Sequence, residues 1–270
     1  MKRLDASAWV GMWPFIANTP TSLPELCKAL TAVGISGAAV SPVNSILAPE
    51  PMGATMALLD DAQRLAQDDF CFRVVPVINP SLRGWERDLE MLLSKHERLV
   101  GAIKVVPNYH NYPVEDSEAV ALTRAVTDAG LGLCVQVRML DERSHHPLMT
   151  APGVRLEKIA HLAETVPQAR ILACGVFQAE LNTIVGSSNV SVELSSIESA
   201  DSLANALTAM GEDRVLLGSH APIYYPAVAV AKISNTASDD AIINRIASTN
   251  ATVFFNWPLS SKHFHLSGAP

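Results

Sequence analysis

The segment Leu122–Arg138, LTRAVTDAGLGLCVQVR, decides the fold class of this chain. Leu122, Val126 and Ala129 recur at helical spacing and place one apolar face on a helix. Gly130 follows at the position where a glycine commonly ends a helix. The run after it is apolar nearly throughout, which is typical of a strand that is covered on both faces. A helix, a glycine and a buried strand together form the repeating unit of parallel α/β folds.

The same unit recurs along the whole chain. Strand-like runs occupy Leu4–Val10, Ile35–Ser41, Phe72–Ile78, Gly101–Val106, Gly132–Arg138, Arg170–Ala173, Val190–Leu194 and Arg214–Gly218. Eight strand–helix units in about 250 residues match a (β/α)8 barrel in number and length. A doubly wound open sheet is the alternative, but it favours a G-x-G-x-x-G loop after its first strand. The segment 11–15 reads GMWPF and has no such loop. We therefore predict the α/β class, with residues 1–270 forming one (β/α)8 (TIM) barrel domain.

Composition and charge exclude several classes of protein. The chain has 270 residues, of which 49% are hydrophobic and 17% charged, and its formal net charge is −7. Nucleic-acid binders usually carry a basic stripe, so we expect no nucleic-acid partner. No apolar run reaches the roughly 18 residues that a membrane span needs, so we expect no membrane partner. The four cysteines form no C-x-x-C pair. Reduced thiols and a cytoplasmic location are the default expectation for such cysteines.

Polar side chains gather where the predicted strands end. In a (β/α)8 barrel, ligands bind at the carboxyl ends of the strands and in the loops that follow them. At these positions the sequence places Asp5, Ser7, Trp9 and Trp13 from the first unit, Lys104, Asn108 and His110 from the fourth, Arg138 and the segment 141–146 (DERSHH) from the fifth, Cys174 from the sixth, Glu193 from the seventh and His220 from the eighth. This enrichment predicts a ligand site at that end of the barrel.

Four segments resemble a known family. The chain resembles the amidohydrolase superfamily, in its amidohydrolase-related branch of metal-dependent barrel hydrolases and decarboxylases. Residues 213–222 (DRVLLGSHAP) are similar to the family's strand-8 pattern D/E-R-x-L-x-G-S-D-x-P, which is the most specific match. Residues 4–9 (LDASAW) stand at its strand-1 H-x-H motif, and 101–110 (GAIKVVPNYH) look like its strand-4 segment. Residues 250–251 (NA) resemble its terminal helix.

The resemblance also implies where a metal would be held. The family's ligand positions carry Ser7, Trp9, Arg138, Cys174 and His220 in this chain. Tryptophan has no lone pair to donate, and arginine stays protonated. Only Cys174 and His220 could ligate, whereas zinc sites need three or four ligands. We therefore expect no metal or other cofactor, with zinc as the one ion that could be held if any is present.

Two cations are candidates for binding an anionic substrate. Lys104 and Arg138 lie on neighbouring predicted strands, and a bidentate guanidinium beside an ammonium suits a carboxylate or a phosphate. The alternative is that each pairs with an acid of the barrel, Glu193 or Asp141. The substrate-binding set is completed by Asn108, Arg143, Trp9 and Trp13, and the two tryptophans could equally be ordinary packing residues.

Three residues are candidates for the chemistry itself. His220 stands where the family has an aspartate, and an imidazole there could act as a general base. Asp141 could orient a histidine, and His110 could assist. The alternatives are a hydrogen-bonded histidine in the rim of the barrel and a solvated loop at 141–146.

Two functions remain open from the sequence. The first is a hydrolase, or a related lyase, that acts on a small carboxylated substrate without the family's usual divalent metal. The second is a non-catalytic relative with the same fold that serves as a binding or assembly module. In both cases the expected partner is a small anionic molecule, and a homo-oligomer stays open.

Overall fold

The computed structural model describes residues 2–16, 20–65, 70–145, 151–236 and 238–258. Its strands are β1 (Leu4–Val10), β2 (Gly37–Pro42), β3 (Cys71–Val74), β4 (Ala102–Val105), β5 (Gly132–Gln136), β6 (Ile171–Cys174), β7 (Val190–Glu193) and β8 (Val215–Leu216). Each strand pairs in parallel with its neighbour in the sequence, in the ladders β1–β2–β3 and β4–β5–β6–β7–β8.

Backbone hydrogen bonds join the two ladders into a closed barrel. On one side, the amide of Ala6 donates to the carbonyl of Leu217 at 2.8 Å, next to a parallel bridge between Ala8 and Ala221. On the other side, the amide of Lys104 donates to the carbonyl of Pro76 at 2.8 Å. The predicted (β/α)8 barrel is confirmed.

Helices separate the strands and cover the outside of the barrel. They are α1 (Leu23–Ala32), α2 (Asn44–Leu47), α3 (Met52–Leu65), α4 (Trp85–His96), α5 (Pro107–His110), α6 (Ser117–Asp128), α7 (Leu156–Thr165), α8 (Leu181–Ile184), α9 (Ser202–Met210), α10 (Pro226–Ser234), α11 (Asp240–Asn244) and α12 (Asn250–Phe254). Short 3₁₀ turns lie at Glu142–Ser144 and Gln178–Glu180, and a π-helical turn links α11 to α12 at Arg245–Thr249. None of the helices in these ranges is both long and apolar enough to span a membrane.

Some strands are shorter than the sequence predicts. The third was expected to reach Ile78 but its ladder ends at Val74. Pro76 lies just beyond and has no amide hydrogen to donate to a ladder. The eighth was expected at 214–218 and is only Val215–Leu216. Beyond it, the amide of Ser219 bonds to the side chain of Asp5 rather than to a strand.

Three apolar clusters position the site. Outward-facing strand residues such as Val40 and Val135 pack against the helices. Inward-facing residues near the strand starts pack against Phe254, Phe255 and Trp257, which close the amino-terminal end of the barrel. The third cluster, here called the mouth cluster, covers the opposite end and consists of Trp9, Trp13, Val43, Ile46, Val77, Val106, Met139, Leu140 and Ile223, with Ile16, Tyr109 and Tyr224 packed against it.

Candidate functional site at the barrel mouth

Lys104 lies on β4, directly beneath the mouth cluster. Its ammonium Nζ is 4.0 Å from the centre of the Trp9 ring, and the residue is only 1% exposed. Within the described ranges, no carboxylate or other acceptor lies at hydrogen-bond distance from this ammonium. A contact with an aromatic face stabilises a buried cation by about 2 kcal/mol or somewhat more, well below the cost of burying an unpaired charge. An anion beside Nζ would therefore be stabilised by this ammonium.

His220 is held by two hydrogen bonds inside the fold. The indole Nε1 of Trp9 donates to its Nδ1 at 3.1 Å, and its Nε2 lies 2.8 Å from the carbonyl oxygen of Met139. An indole nitrogen can only donate, so Nδ1 is the acceptor and Nε2 carries the hydrogen. Burial and, after it, the nearby charge of Lys104 lower the pKa of His220 to about 3. Both ring nitrogens are engaged, so the expected role as general base does not fit this arrangement.

Arg138 is saturated by acids of the protein itself. Its guanidinium pairs with both carboxylate oxygens of Glu180, at 2.6 and 2.8 Å, and with Glu142 at 3.3 Å. It also stacks on the ring of Phe177 at 3.9 Å. The pairs raise the pKa of Arg138 although burial opposes them. The expected substrate anchor on Arg138 does not fit, because its donors are already used. The alternative partners Glu193 and Asp141 are not the ones found either.

Asp141 and Arg143 form a pair at the surface. The carboxylate of Asp141 accepts from the Arg143 amide at 2.9 Å and from its Nε at 3.0 Å. These hydrogen bonds hold the pKa of Asp141 at about 2. The Arg143 side chain is 90% exposed, so it lies away from the buried mouth cluster. Asp141 thus contacts an arginine rather than the histidine that the sequence suggested. His146, from the same segment, lies outside the described residues.

Asn108 and His110 fasten the turn α5 to its neighbours. Nδ2 of Asn108 donates to the carbonyls of Val137 and Pro152, at 3.3 and 3.2 Å. Nε2 of His110 lies 3.3 Å from the carbonyl of Ser45, and burial lowers the pKa of His110. Both residues therefore brace the loop after β4, and His110 bonds to Ser45 rather than to His220. Their roles in binding and catalysis stay predictions.

Trp13 and Tyr109 are the central aromatic pair of the mouth cluster. Their rings meet edge to face with centroids 5.7 Å apart, and Trp13 is 1% exposed. Trp9 and Trp13 belong to the same apolar cluster, and Trp9 contacts Lys104; their role in binding a substrate stays a prediction. The sequence pattern does not indicate Tyr109, because a lone tyrosine after a strand carries no specific signal.

Two buried acids lie near the same end of the barrel. Asp5 accepts hydrogen bonds from the amides of Ser7 and Ser219, at 3.0 and 2.9 Å, and from the Ser219 hydroxyl. Burial raises the pKa of Asp5 to about 6, despite these hydrogen bonds. Glu193 accepts from the Gly175 amide at 2.8 Å and from the Ser195 amide and hydroxyl. Both carboxylates therefore satisfy the backbone rather than Lys104.

Cys174 is not set up as a nucleophile. It is fully buried and lies beside Cys134, on the neighbouring strand. A hydrogen bond with Cys134 and burial raise the pKa of the Cys174 thiol well above its ordinary value. A thiol acts as a nucleophile or metal ligand only as thiolate, so this environment disfavours both roles.

Several solved structures share this barrel fold. The chain matches the 5-carboxyvanillate decarboxylase of Sphingomonas paucimobilis with a TM-score of 0.72 and 13% identity, over 94% of this chain and 99% of that one. It matches a dihydroxybenzoic acid decarboxylase of Polaromonas sp. JS666 with a TM-score of 0.71 and 15% identity, over 97% and 99%.

A third match is amidohydrolase 2 of Bifidobacterium longum subsp. infantis, with a TM-score of 0.65 and 15% identity over 96% of this chain and 100% of that one. No protein-family model and no curated protein sequence matches the chain. A likeness at this identity confirms the barrel fold.

The comparison corrects the expectation about cofactors. We expected none, with zinc as the one candidate ion, but the Polaromonas decarboxylase of the same fold has bound manganese. The side chains of this chain fit such an ion poorly. The described ranges contain no group of three or more His, Cys, Asp or Glu residues that could hold a metal. At the family's ligand positions, Arg138 is a paired cation and both nitrogens of His220 are engaged.

Proposed function

We propose that this protein binds a small carboxylated ring compound at the barrel mouth, with Lys104 as the anchor of the carboxylate, and that it acts on this compound as a hydrolase or a lyase. The observation that carries the proposal is the ammonium of Lys104, which is buried beneath an aromatic ring without an acceptor in the described residues. A carboxylate beside Nζ would supply the missing charge and hydrogen bonds, and such charge-assisted bonds are the strong ones.

The surroundings of Lys104 support a flat, ring-bearing ligand. Trp9 and Trp13 offer aromatic faces and edges, which pack favourably against another ring. The proteins that share the fold point the same way, since their names include carboxyvanillate and dihydroxybenzoic acid. Three polar atoms on other strands, Ser7 Oγ, Ser41 Oγ and Gln136 Oε1, are also buried without a hydrogen-bond partner in the part of the chain that the structure describes.

Access to the anchor requires a change in the mouth cluster. Trp9, Trp13 and Lys104 are each at most 1% exposed in this conformation. The ring of Trp9 lies over the ammonium. A ligand ring would have to stack on the Trp9 ring or displace that ring from the ammonium. Binding therefore includes a rearrangement of the aromatic cover, and the carboxylate replaces the weaker contact between Lys104 and Trp9.

A non-catalytic binding module is the second candidate. The observation that favours it is the double hydrogen bonding of His220, which removes the expected base from the chemistry. Arg138 pairs with Glu180, and Asp141 pairs with Arg143. Of the three candidate cations, Lys104 is the one without a partner acid in the described residues. In this second candidate the ligand binds at Lys104 and leaves unchanged.

The anchor can be tested by ligand-induced stabilisation. Benzoate and isophthalate should raise the melting temperature at constant ionic strength, by a linkage of about 2.7 kcal/mol at a hundredfold excess over Kd. Lys104→Met should abolish the shift. Lys232→Met is the matched control, because Lys232 donates to the carbonyls of Leu194 and Ser195 and should leave the ligand shift intact. Equal shifts in both variants, or none in the wild type, would refute the anchor.

Turnover separates the two candidates. Any ring carboxylate that passes the binding test is incubated with the protein, with and without added Mn²⁺, and its consumption and products are followed by mass spectrometry. A product in either condition that depends on Lys104 supports the enzyme. Binding without product in both conditions favours the non-catalytic module. The predictions of a small-molecule partner, a cytoplasmic location and residues 1–270 as a single domain belong to this proposal, and a homo-oligomer stays open.

A further inference from the structure

Among the described residues, several buried polar atoms without hydrogen-bond partners lie in the chain after β4, and one lies in the loop after β1. In the turn α5 three successive residues have one each: Asn108 Oδ1, Tyr109 Oη and His110 Nδ1. Trp13 Nε1, in the loop after β1, is a fourth. Buried polar groups in folded proteins are nearly always hydrogen-bonded, because an unpaired one loses its hydrogen bonds to water without replacement. Of these four residues, Trp13 and Tyr109 have rings in contact, so their two unpartnered atoms indicate a place for a polar ligand group.

Two of these atoms are hydrogen-bond donors at the mouth cluster. The indole of Trp13 can only donate, since its nitrogen has no free lone pair. Burial, and after it the charge of Glu142, raise the pKa of Tyr109, which keeps its hydroxyl protonated and able to donate. The two rings are in contact at 5.7 Å, so both donors belong to one small region of the mouth.

The position of this pair relative to Lys104 sets the shape of the ligand. Trp9 contacts Lys104 on one side and belongs to the same cluster as Trp13 and Tyr109 on the other. Lys104 belongs to strand β4, whereas Trp13 and Tyr109 belong to the segments that follow β1 and β4. A ligand that reaches both must carry an anion at one end and a hydrogen-bond acceptor at the other.

We infer that Trp13 and Tyr109 form a second polar subsite that selects ring carboxylates with a further acceptor oxygen on the ring, such as an ether, carbonyl or nitro oxygen. The inference rests on the proposed anchoring of the carboxylate by Lys104. The acceptor would receive hydrogen bonds from the Trp13 N–H and the Tyr109 O–H, while the ring packs against the aromatic wall.

The test compares two ligands that differ in one atom. 3-Methoxybenzoate has an acceptor oxygen where 3-ethylbenzoate has a methylene group of similar size, and the 4-substituted isomers form a second pair. Calorimetry gives the Kd of each ligand. The wild type should bind the methoxy compound of at least one pair about fivefold or more tightly than its ethyl partner, the ratio expected from one net hydrogen bond.

Variants of Trp13 and Tyr109 test whether these two donors cause the ratio between the Kd values of the ethyl and methoxy ligands. Tyr109→Phe should bring it close to one, and Trp13→Phe should reduce it. Tyr112→Phe is the matched control, because it removes another buried, unpartnered hydroxyl from a residue of the outer core and should keep the ratio. A ratio near one in the wild type, or one that survives in both Tyr109→Phe and Trp13→Phe, overturns the inference.

The failure of the anchor is recognised separately. If Lys104→Met still binds the benzoates as the wild type does, the proposed function is wrong and the inference that rests on it is overturned with it. Unfolding without ligand gives a further check. Removing an unsatisfied hydroxyl should not destabilise the protein, so Tyr109→Phe should retain the wild-type midpoint. A marked loss of stability would mean that the fold itself satisfies this hydroxyl, and would also overturn the inference.

Discussion

The indole of Trp9 donates a hydrogen bond of 3.1 Å to Nδ1 of His220, although 211 positions separate the two residues in the sequence. The bond joins the first strand to the chain just beyond the last one. It also fixes the tautomer of His220, whose other nitrogen bonds to Met139 at 2.8 Å. His220 has a positive φ of 55°, so its backbone is held in the left-handed region as well. This residue is therefore best described as a brace of the closed barrel.

The first prediction follows from the burial of His220. Its pKa is about 3 in the fold against an ordinary value of 6.5. The folded state then binds fewer protons than the unfolded state, so its contribution is complete above pH 6.5 and is lost as the pH falls towards 3. Within that pH range, the contribution of His220 to the free energy of unfolding should change by up to about 1.4 kcal/mol per pH unit.

His220→Asn is the variant for this test. Asparagine tolerates the left-handed backbone and does not titrate. The variant will be less stable at neutral pH, but the difference between wild type and variant should shrink as the pH falls. Urea unfolding at several pH values between about 4 and 7 measures it, and a constant difference would contradict the assignment.

The second prediction concerns Asp5, whose contribution to stability should fall as the pH rises, opposite to that of His220. Its pKa is about 6 in the fold against 3.8 ordinarily, so the folded state holds the proton more tightly. The contribution of Asp5 is complete below pH 3.8 and is lost as the pH rises through 6. Asp5→Asn keeps an acceptor for the amides of Ser7 and Ser219 without titrating. Relative to the wild type, the variant should gain stability between about pH 4 and 6, in the same urea series; a flat difference would refute the shift.

The third prediction concerns the ion pairs of Arg138. Arg138→Met leaves Glu180 and Glu142 without their shared partner and should lower the free energy of unfolding by about 2–3 kcal/mol. Arg138→Lys should recover only part of it, since an ammonium cannot form the bidentate pair. Arg143→Met is the control: its pair with Asp141 is exposed, so no measurable change is expected. Equal effects at 138 and 143 would show that the buried pair does not stabilise the fold.

The fourth prediction concerns the space beside Glu193. Gly218 lies so close to this carboxylate that an added Cβ would meet the Glu193 side chain at distances under 3.0 Å. Gly218→Ala should therefore cost about 1–3 kcal/mol through overpacking. Gly186→Ala, where an added Cβ meets nothing within 4 Å, is the control. Thermal unfolding of both variants measures the effect. Similar unfolding midpoints would contradict the close contact between Gly218 and Glu193.

The sequence by itself determined the barrel. Helical spacing, the glycines that end helices and the apolar strands are properties of neighbouring residues, so they can be read without knowing the tertiary structure. Eight such units in order admitted few topologies, and the most specific family-like segment, 213–222, pointed to the same fold. The mouth of the barrel could be located for the same reason, because all parallel strands end on one side.

The tertiary structure decided which of the polar residues at the mouth are free. Arg138 and Lys104 look alike in the sequence. Glu180, 42 positions beyond Arg138, pairs with the guanidinium, whereas the ammonium of Lys104 contacts the ring of Trp9 and has no paired acid among the described residues. In the same way, hydrogen bonds from Trp9 and to Met139 engage both ring nitrogens of His220, so that neither is available for the expected role as a base. Hydrogen bonds and ion pairs depend on distances of about 3 Å between groups far apart in the chain, and local patterns carry no information about such distances.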